Sequence, residues 1–225
     1  MNELLFFLSI LLYFSLMLVS YYFFGKQGLF VWICFGVVIA NIEAIKLVTF
    51  FGYSVTLGNV LYASTYLATD IISEKYGKEE ANKTVNLGFF AMIAFILVTQ
   101  FMLLFIPDTG DFAHEAMVTL FQITPRVCLA SIVTYVIMQK VDIILFHKIR
   151  AKTKGKYLWL RNCGSTMTSQ FFDSIIFNVV AFYGIYDNQT LISIILVTYL
   201  LKFIIAACDT PFCYLAVKLK PRNEY

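Results

Sequence analysis

Arg161–Ile185, RNCGSTMTSQFFDSIIFNVVAFYGI, has the length and apolar weight of a membrane-crossing helix, yet Asp173 stands about halfway along it. At about 1.5 Å per residue, a helix starting near Cys163 reaches the bilayer midplane close to Asp173, where inserting a carboxylate costs roughly 2.5 to 3.5 kcal/mol. A compensating partner is therefore required. Thr166, Ser169, Gln170, Asp173 and Phe177 recur at helical spacing and share one face, while Ile175, Ile176, Val179 and Val180 supply apolar surface. The segment has a wet side and a dry side.

The surrounding chain fits a membrane setting. Its 225 residues are 60% hydrophobic and 14% charged, with a mean hydropathy of +0.78, whereas an average soluble domain carries about 25% charged residues. An all-α integral membrane protein is expected, with about seven transmembrane helices near residues 4–24, 28–51, 57–73, 85–106, 125–147, 162–185 and 190–217. These spans use up the chain as a single polytopic membrane domain over 1–225 and leave no room for a soluble nucleotide-binding or catalytic domain. The first span exceeds the apolar core of a cleaved signal peptide, so it is expected to be retained. The five cysteines, Cys34, Cys128, Cys163, Cys208 and Cys213, lack the paired spacing of a zinc or disulfide framework and read as reduced, buried small residues.

Thirteen of the 17 Lys and Arg residues fall on alternate connections: Lys26, the 74–83 turn, the 148–161 loop and the C-terminal tail. Lys and Arg prefer the cytoplasmic side, so a plasma-membrane protein with its N-terminus outside and its C-terminus cytoplasmic is expected. The basic residues thus mark topology rather than nucleic-acid binding. The remaining four, Lys46, Arg126, Lys140 and Lys202, lie in spans or at their ends and face Glu43, Asp70, Asp142, Asp173 and Asp209. Ionisable groups at membrane depth line a watery cavity or pair inside the bundle, which favours a solute pathway over a structural or assembly factor.

Several helical stripes supply candidate contacts. Asn59, Tyr62, Tyr66 and Asp70 align in the third span, and Thr198, Lys202 and Asp209 in the seventh. Helix-to-helix hydrogen bonding is the plain alternative for the third-span stripe. Lys202 either pairs with Asp173 or contacts a guest directly. In the fifth span Ser131, Tyr135, Met138 and Asp142 align, and Asp142 reads as structural, near the inner interface. Arg126 either snorkels outward or caps an outer vestibule. Asp173, Gln170, Lys202, Asn41, Asn59, Tyr62, Tyr66 and Asp70 are the candidate substrate-binding residues, and Glu43, Lys46, Arg126, Asp142 and Asp209 the candidate gating or structural charges. Carboxylates, amides, one ammonium and tyrosines suit a small flat polar heterocycle, held at its donor edge by a carboxylate and amide and across its faces by rings. An inorganic cation would call for an oxygen-only cluster and a sugar phosphate for clustered Arg; neither pattern occurs, and no cofactor or metal is expected.

The stretches LGNVLYASTYLATDIISEKYGKEEA, TPRVCLASIVTYVIMQKVDIILFHKI, GKYLWLRNCGSTMTSQFFDSIIF and LLKFIIAACDTPFCYL closely resemble the queuosine precursor transporter family, also described as "putative vitamin uptake transporters". The resemblance spans about residues 35 to 217. It implies an extra first helix on a six-helix core similar to the substrate-binding subunits of energy-coupling-factor vitamin importers. It also implies import of 7-deazaguanines (the nitrile or aminomethyl precursors, or queuine) for tRNA modification. By position the family's motif residues fall on Asn41, Lys46, Gly58, Asp70, Glu74, Gly77, Arg126, Ser131, Asp142, Ser165, Gln170, Asp173 and Lys202. Leu61-Tyr62-Ala63 departs from the Phe-Pro pair of many relatives, and Glu43 is not a family residue.

On that reading Asp173 accepts the base's donor pair, with Gln170 beside it and Lys202 or Asn41 at the carbonyl oxygen. Asp70 or Glu43 would then counter a cationic aminomethyl group. No GxxxxGK[ST] phosphate loop occurs, so the chain cannot hydrolyse ATP by that route. It acts alone, by ion coupling or with trapping, or serves as the substrate-binding subunit of an ATP-driven importer with a separate ATPase module. Homo-oligomers are open. An intramembrane enzyme is disfavoured, because His114 and His147 lack partners at catalytic spacing and no other candidates exist besides Ser165 and the buried acids.

Overall fold

The computed structural model describes residues 1–122, 125–184 and 188–222, leaving aside the side chains of 47, 54, 56, 125–129, 182 and 190. The chain runs α1 (Asn2–Glu43), β1 (Leu47–Phe50), β2 (Tyr53–Thr56), α2 (Asn59–Lys75), α3 (Lys78–Met102), α4 (His114–Phe121), α5 (Pro125–Lys152), α6 (Leu158–Phe182), α7 (Asn188–Cys208) and α8 (Thr210–Lys218). Among the described residues four helical stretches are long and apolar enough to cross a membrane: Asn2–Glu43, Lys78–Met102, Ala130–Lys152 and Leu191–Lys218. This is an all-α membrane protein.

The 42 residues of α1 would extend about 63 Å if straight, twice the hydrocarbon thickness. They fold back instead at Gly25, whose φ of 57° and ψ of −139° are open to glycine alone. The two arms, 2–24 and 26–43, run antiparallel. The Tyr13 hydroxyl donates to Glu43 Oε1 at 2.7 Å, and the Ser20 hydroxyl donates to the Gly28 carbonyl at 3.0 Å.

The second span, expected to reach Phe51, stops at Glu43 and gives way to a short antiparallel hairpin. Val48, Thr49 and Val55 favour strand, and the Phe51–Gly52 turn takes positive φ at both positions (47° and 85°), which matches the twist of a two-residue hairpin loop. Lys46 therefore lies exposed ahead of β1 rather than at membrane depth. Phe50 and Val55 pack on Leu201 of α7, with Phe6 and Val197 around them.

α2 is the most enclosed element. From Val60 to Ser73 every residue except half-buried Tyr62 is buried, under α1, α3, α5, α7 and α8. A helix buried all round belongs at the centre of a bundle, yet this one carries Ser64, Thr65, Thr69, Asp70 and Ser73 inward as well. The last expected span is broken at Asp209: Pro211 has no N–H to continue the α7 ladder, and α8 starts afresh.

The basic connections meet at one end of the bundle. Lys26 pairs with Glu80 at 2.8 Å, Arg161 grips Glu74 with two bonds of 2.9 and 2.7 Å, and Lys75 donates to the Leu219 carbonyl at 2.7 Å. At the opposite end Asn2 and Glu3 bond the hairpin at Thr49 and Phe51. Cys34, Cys163 and Cys208 are half-buried and Cys213 is buried, all four as free thiols; Cys128 lies outside the described side chains.

Candidate functional site

α6 has the two expected sides. Thr166, Ser169, Gln170, Asp173, Ser174 and Asn178 are buried, while Phe171, Phe172, Val179 and Val180 are exposed. The inward face packs on α5 and α7 and reaches α2, so it reads polar groups from all three.

Asp173 is only 3% exposed, and both of its oxygens are engaged. The Lys202 ammonium of α7 donates to Oδ2, and the Tyr62 hydroxyl of α2 donates to Oδ1 at 3.1 Å. Lys202 also stands 5.3 Å from the Tyr62 ring centroid, a cation over an aromatic face. Tyr62 meets Tyr66 edge-on at 5.4 Å between centroids and Tyr135 at 6.4 Å, and the Tyr62 and Tyr66 hydroxyls are 3.5 Å apart. A carboxylate, an ammonium and a group of phenols thus converge from three helices.

Gln170 lies one turn before Asp173. It is 1% exposed, and neither its amide oxygen nor its amide nitrogen has a partner. Leaving buried polar groups unmade costs about 1–3 kcal/mol each, so this amide has bonding capacity to spare beside Asp173.

A second acidic centre lies farther along the same α6 face. Thr166 donates to Asp70 Oδ2 of α2 at 3.2 Å, and Ser169 donates to Asp142 Oδ1 of α5 at 2.9 Å. The other oxygens, Asp70 Oδ1 and Asp142 Oδ2, receive no donor, and the two carboxyl groups stand within hydrogen-bonding reach of each other. Asp209, at the α7–α8 break, accepts from Asn162 at 2.7 Å and leaves Oδ2 unpartnered.

Several expectations change. Of the two roles expected of Lys202 the structure shows the pairing with Asp173, and with Tyr62 it occupies the carboxylate. Asp70 turns toward Asp142 rather than toward the Asp173 centre. Asp142 is fully buried among the neighbouring helices. The near balance of buried charge also fails: Lys46 and Lys140 are exposed, Arg126 lies outside the described side chains, and Lys202 faces four buried aspartates. Glu43 is half-buried against Tyr13, and the Asn41 amide turns back to the Val37 carbonyl at 2.7 Å, so neither is drawn into the Asp173 centre. Asn59 is half-buried at the start of α2.

Sequence reasoning passed over Gln139, fully buried with Nε2 bonded to Thr65 and Oε1 unpartnered, and Asn162. The stripe of Asn162, Thr166, Ser169 and Asp173 carried a signal for the second. A cavity of about 490 Å³ lies between the end of α3 and α4, lined by Met102, Phe105, Asp108 and His114 among others, and includes none of these buried polar groups.

Comparison with known proteins supplies the family. The profile described as "putative vitamin uptake transporter" matches residues 56–216. A protein of Bacillus subtilis (strain 168) named "probable queuosine precursor transporter" is 42% identical over 215 residues, covering 95% of this chain and 94% of the relative. A Haemophilus influenzae protein of the same name is 25% identical over 133 residues, 59% of this chain and 54% of the relative. No solved structure matches. The chain belongs to the vitamin uptake transporter family described by that profile.

Proposed function

We propose that this chain imports 7-deazaguanine precursors of queuosine across the plasma membrane, with its N-terminus outside and its C-terminus in the cytoplasm. The names of the two relatives support the substrate class. The gathering of Lys26, Lys75, Arg150 and Arg161 at one end of the bundle supports the orientation, since basic connections stay cytoplasmic.

The observation that carries the reading is the bare amide of Gln170 beside the Asp173–Lys202–Tyr62 cluster. A deazaguanine offers a pair of adjacent N–H donors and a carbonyl oxygen on one edge. Asp173 accepts that donor pair once Lys202 swings away, Lys202 then donates to the carbonyl oxygen, and Gln170 bonds the remaining edge. Tyr62 and Tyr66 lie along the rings, where stacking contributes about 1–3 kcal/mol per base. The closed salt link holds Asp173 neutralised between guests, so the carboxylate is never buried bare.

Uptake of labelled deazaguanines into proteoliposomes holding this chain alone, without nucleotide, tests the proposal. Wild-type transport is expected, with loss in Asp173→Asn at unchanged protein level. Transport only with added ATP and an ATPase module would make the chain a subunit of a larger importer. Normal uptake by Asp173→Asn would remove Asp173 from the site. Queuosine content of tRNA in a precursor-requiring host, fed each compound in turn, identifies the preferred one.

A further inference from the structure

We infer that Asp70 and Asp142 form a proton-sharing pair that couples import to the proton gradient, an inference that rests on the transport reading above. The pair is 0% exposed on both sides, and each carboxyl has one oxygen held by an α6 hydroxyl and one with no donor. Two carboxylates cannot stand within hydrogen-bonding reach in a low-dielectric interior unless a proton lies between them. No Lys or Arg pairs with either group among the described residues. The titratable groups around them are Tyr66 of α2, Asp209 at the α7–α8 break and Cys213 of α8, with the Glu74–Arg161 ion pair beyond Cys213, so the nearest of these groups are acids or neutral.

Two buried amides stand beside the acids. Gln139 lies one turn before Asp142 and keeps its buried Oε1 unpartnered. Gln170 lies one turn after Thr166 with its whole amide free, between the acid pair and Asp173. No group of three or more His, Cys, Asp or Glu side chains among the described residues is gathered to hold a metal ion. A proton is thus the occupant the geometry fits: one carboxylate oxygen takes it from the outer side by forming an O–H bond and releases it to the inner side by breaking that bond.

Coupling follows from α6. This one helix holds Asp70 through Thr166, Asp142 through Ser169 and Lys202 through Asp173. A guest that takes the place of Lys202 on Asp173 changes what holds α6, the helix that supplies both hydroxyls, and so opens the pair. On the α2 side the Tyr62 hydroxyl bonds Asp173 and stands 3.5 Å from that of Tyr66, which lies one turn before Asp70.

The experiment uses proteoliposomes of the full chain loaded with a 7-deazaguanine. With acid outside, a gradient of one pH unit should support about a tenfold accumulation for one proton per guest. A sodium gradient should support none. Asp142→Asn mimics the protonated acid in shape and should keep guest-for-guest counterflow while losing accumulation; Asp142→Glu should restore part of it. Accumulation by Asp142→Asn equal to wild type, or wild-type accumulation driven by sodium alone, overturns the inference and leaves transport intact. Vesicles that neither exchange nor take up any deazaguanine overturn the function instead. Infrared spectroscopy of wild-type protein then decides the pair independently of any guest. A buried carboxylic-acid C=O band at neutral pH, diminished in Asp142→Asn, supports the shared proton, and its absence from wild type refutes it.

Discussion

Asp173 of α6 and the pair of Asp70 from α2 and Asp142 from α5, which bond to the same α6 face, are all buried and are compensated in opposite ways. Asp173 has an ammonium and a phenol. Asp70 and Asp142 have hydroxyls and each other. Removing two charges from water is repaid only by good mutual geometry, so Asp173 depends on Lys202. The pair removes its problem by binding a proton. On the proposed reading, one centre trades a cation for a polar guest and the other trades a proton.

The largest expected effect comes from breaking the first arrangement. Lys202→Met leaves a buried carboxylate with one phenol, a loss of about 3–5 kcal/mol, measurable as a lower Tm in detergent. The double variant Lys202→Met/Asp173→Asn should recover most of it; a double as unstable as the single would mean that Lys202 stabilises through packing instead. Glu74→Gln comes next. It removes the two-pronged acceptor of Arg161, which is 3% exposed, and should cost about 2 kcal/mol by chemical denaturation.

Gln170→Leu sharpens the contrast differently. Replacing an unpartnered amide by an apolar side chain should hold or raise stability, by up to about 1 kcal/mol, while uptake falls sharply. A variant that transports normally would take Gln170 out of guest recognition.

The smallest effect belongs to Glu80, outside the membrane. Hydrogen bonds from Lys26 and Lys83 hold its carboxyl below the usual carboxylate range. Its contribution is therefore present above that range and fades as pH falls through the lowered value. The group is half-buried at the surface and salt screens it, so Glu80→Gln should flatten only a slight acid-side loss of Tm.

Much was legible because it is periodic. The wet and dry sides of α6 follow from residues three and four apart, and they face inward and outward as that spacing requires. The reversal near Lys26 is also local, set by Gly25. The hairpin at Leu47–Thr56 was missed because its apolar run continues that of the preceding helix, and hydropathy does not distinguish a β-branched strand pair from a helix end. Asp142 was placed near water by its distance along the span, but neighbouring helices bury it at any depth.

Sequence by itself determined that this chain lives in a bilayer, which faces of its helices are polar, and which family it resembles, because hydropathy and helical period act along the chain. Only the tertiary structure decided which acid meets which partner. Lys202 went to Asp173 while Asp70 and Asp142 went to each other, and those choices depend on how α2, α5, α6 and α7 pack around one another, a relation between residues far apart in the chain.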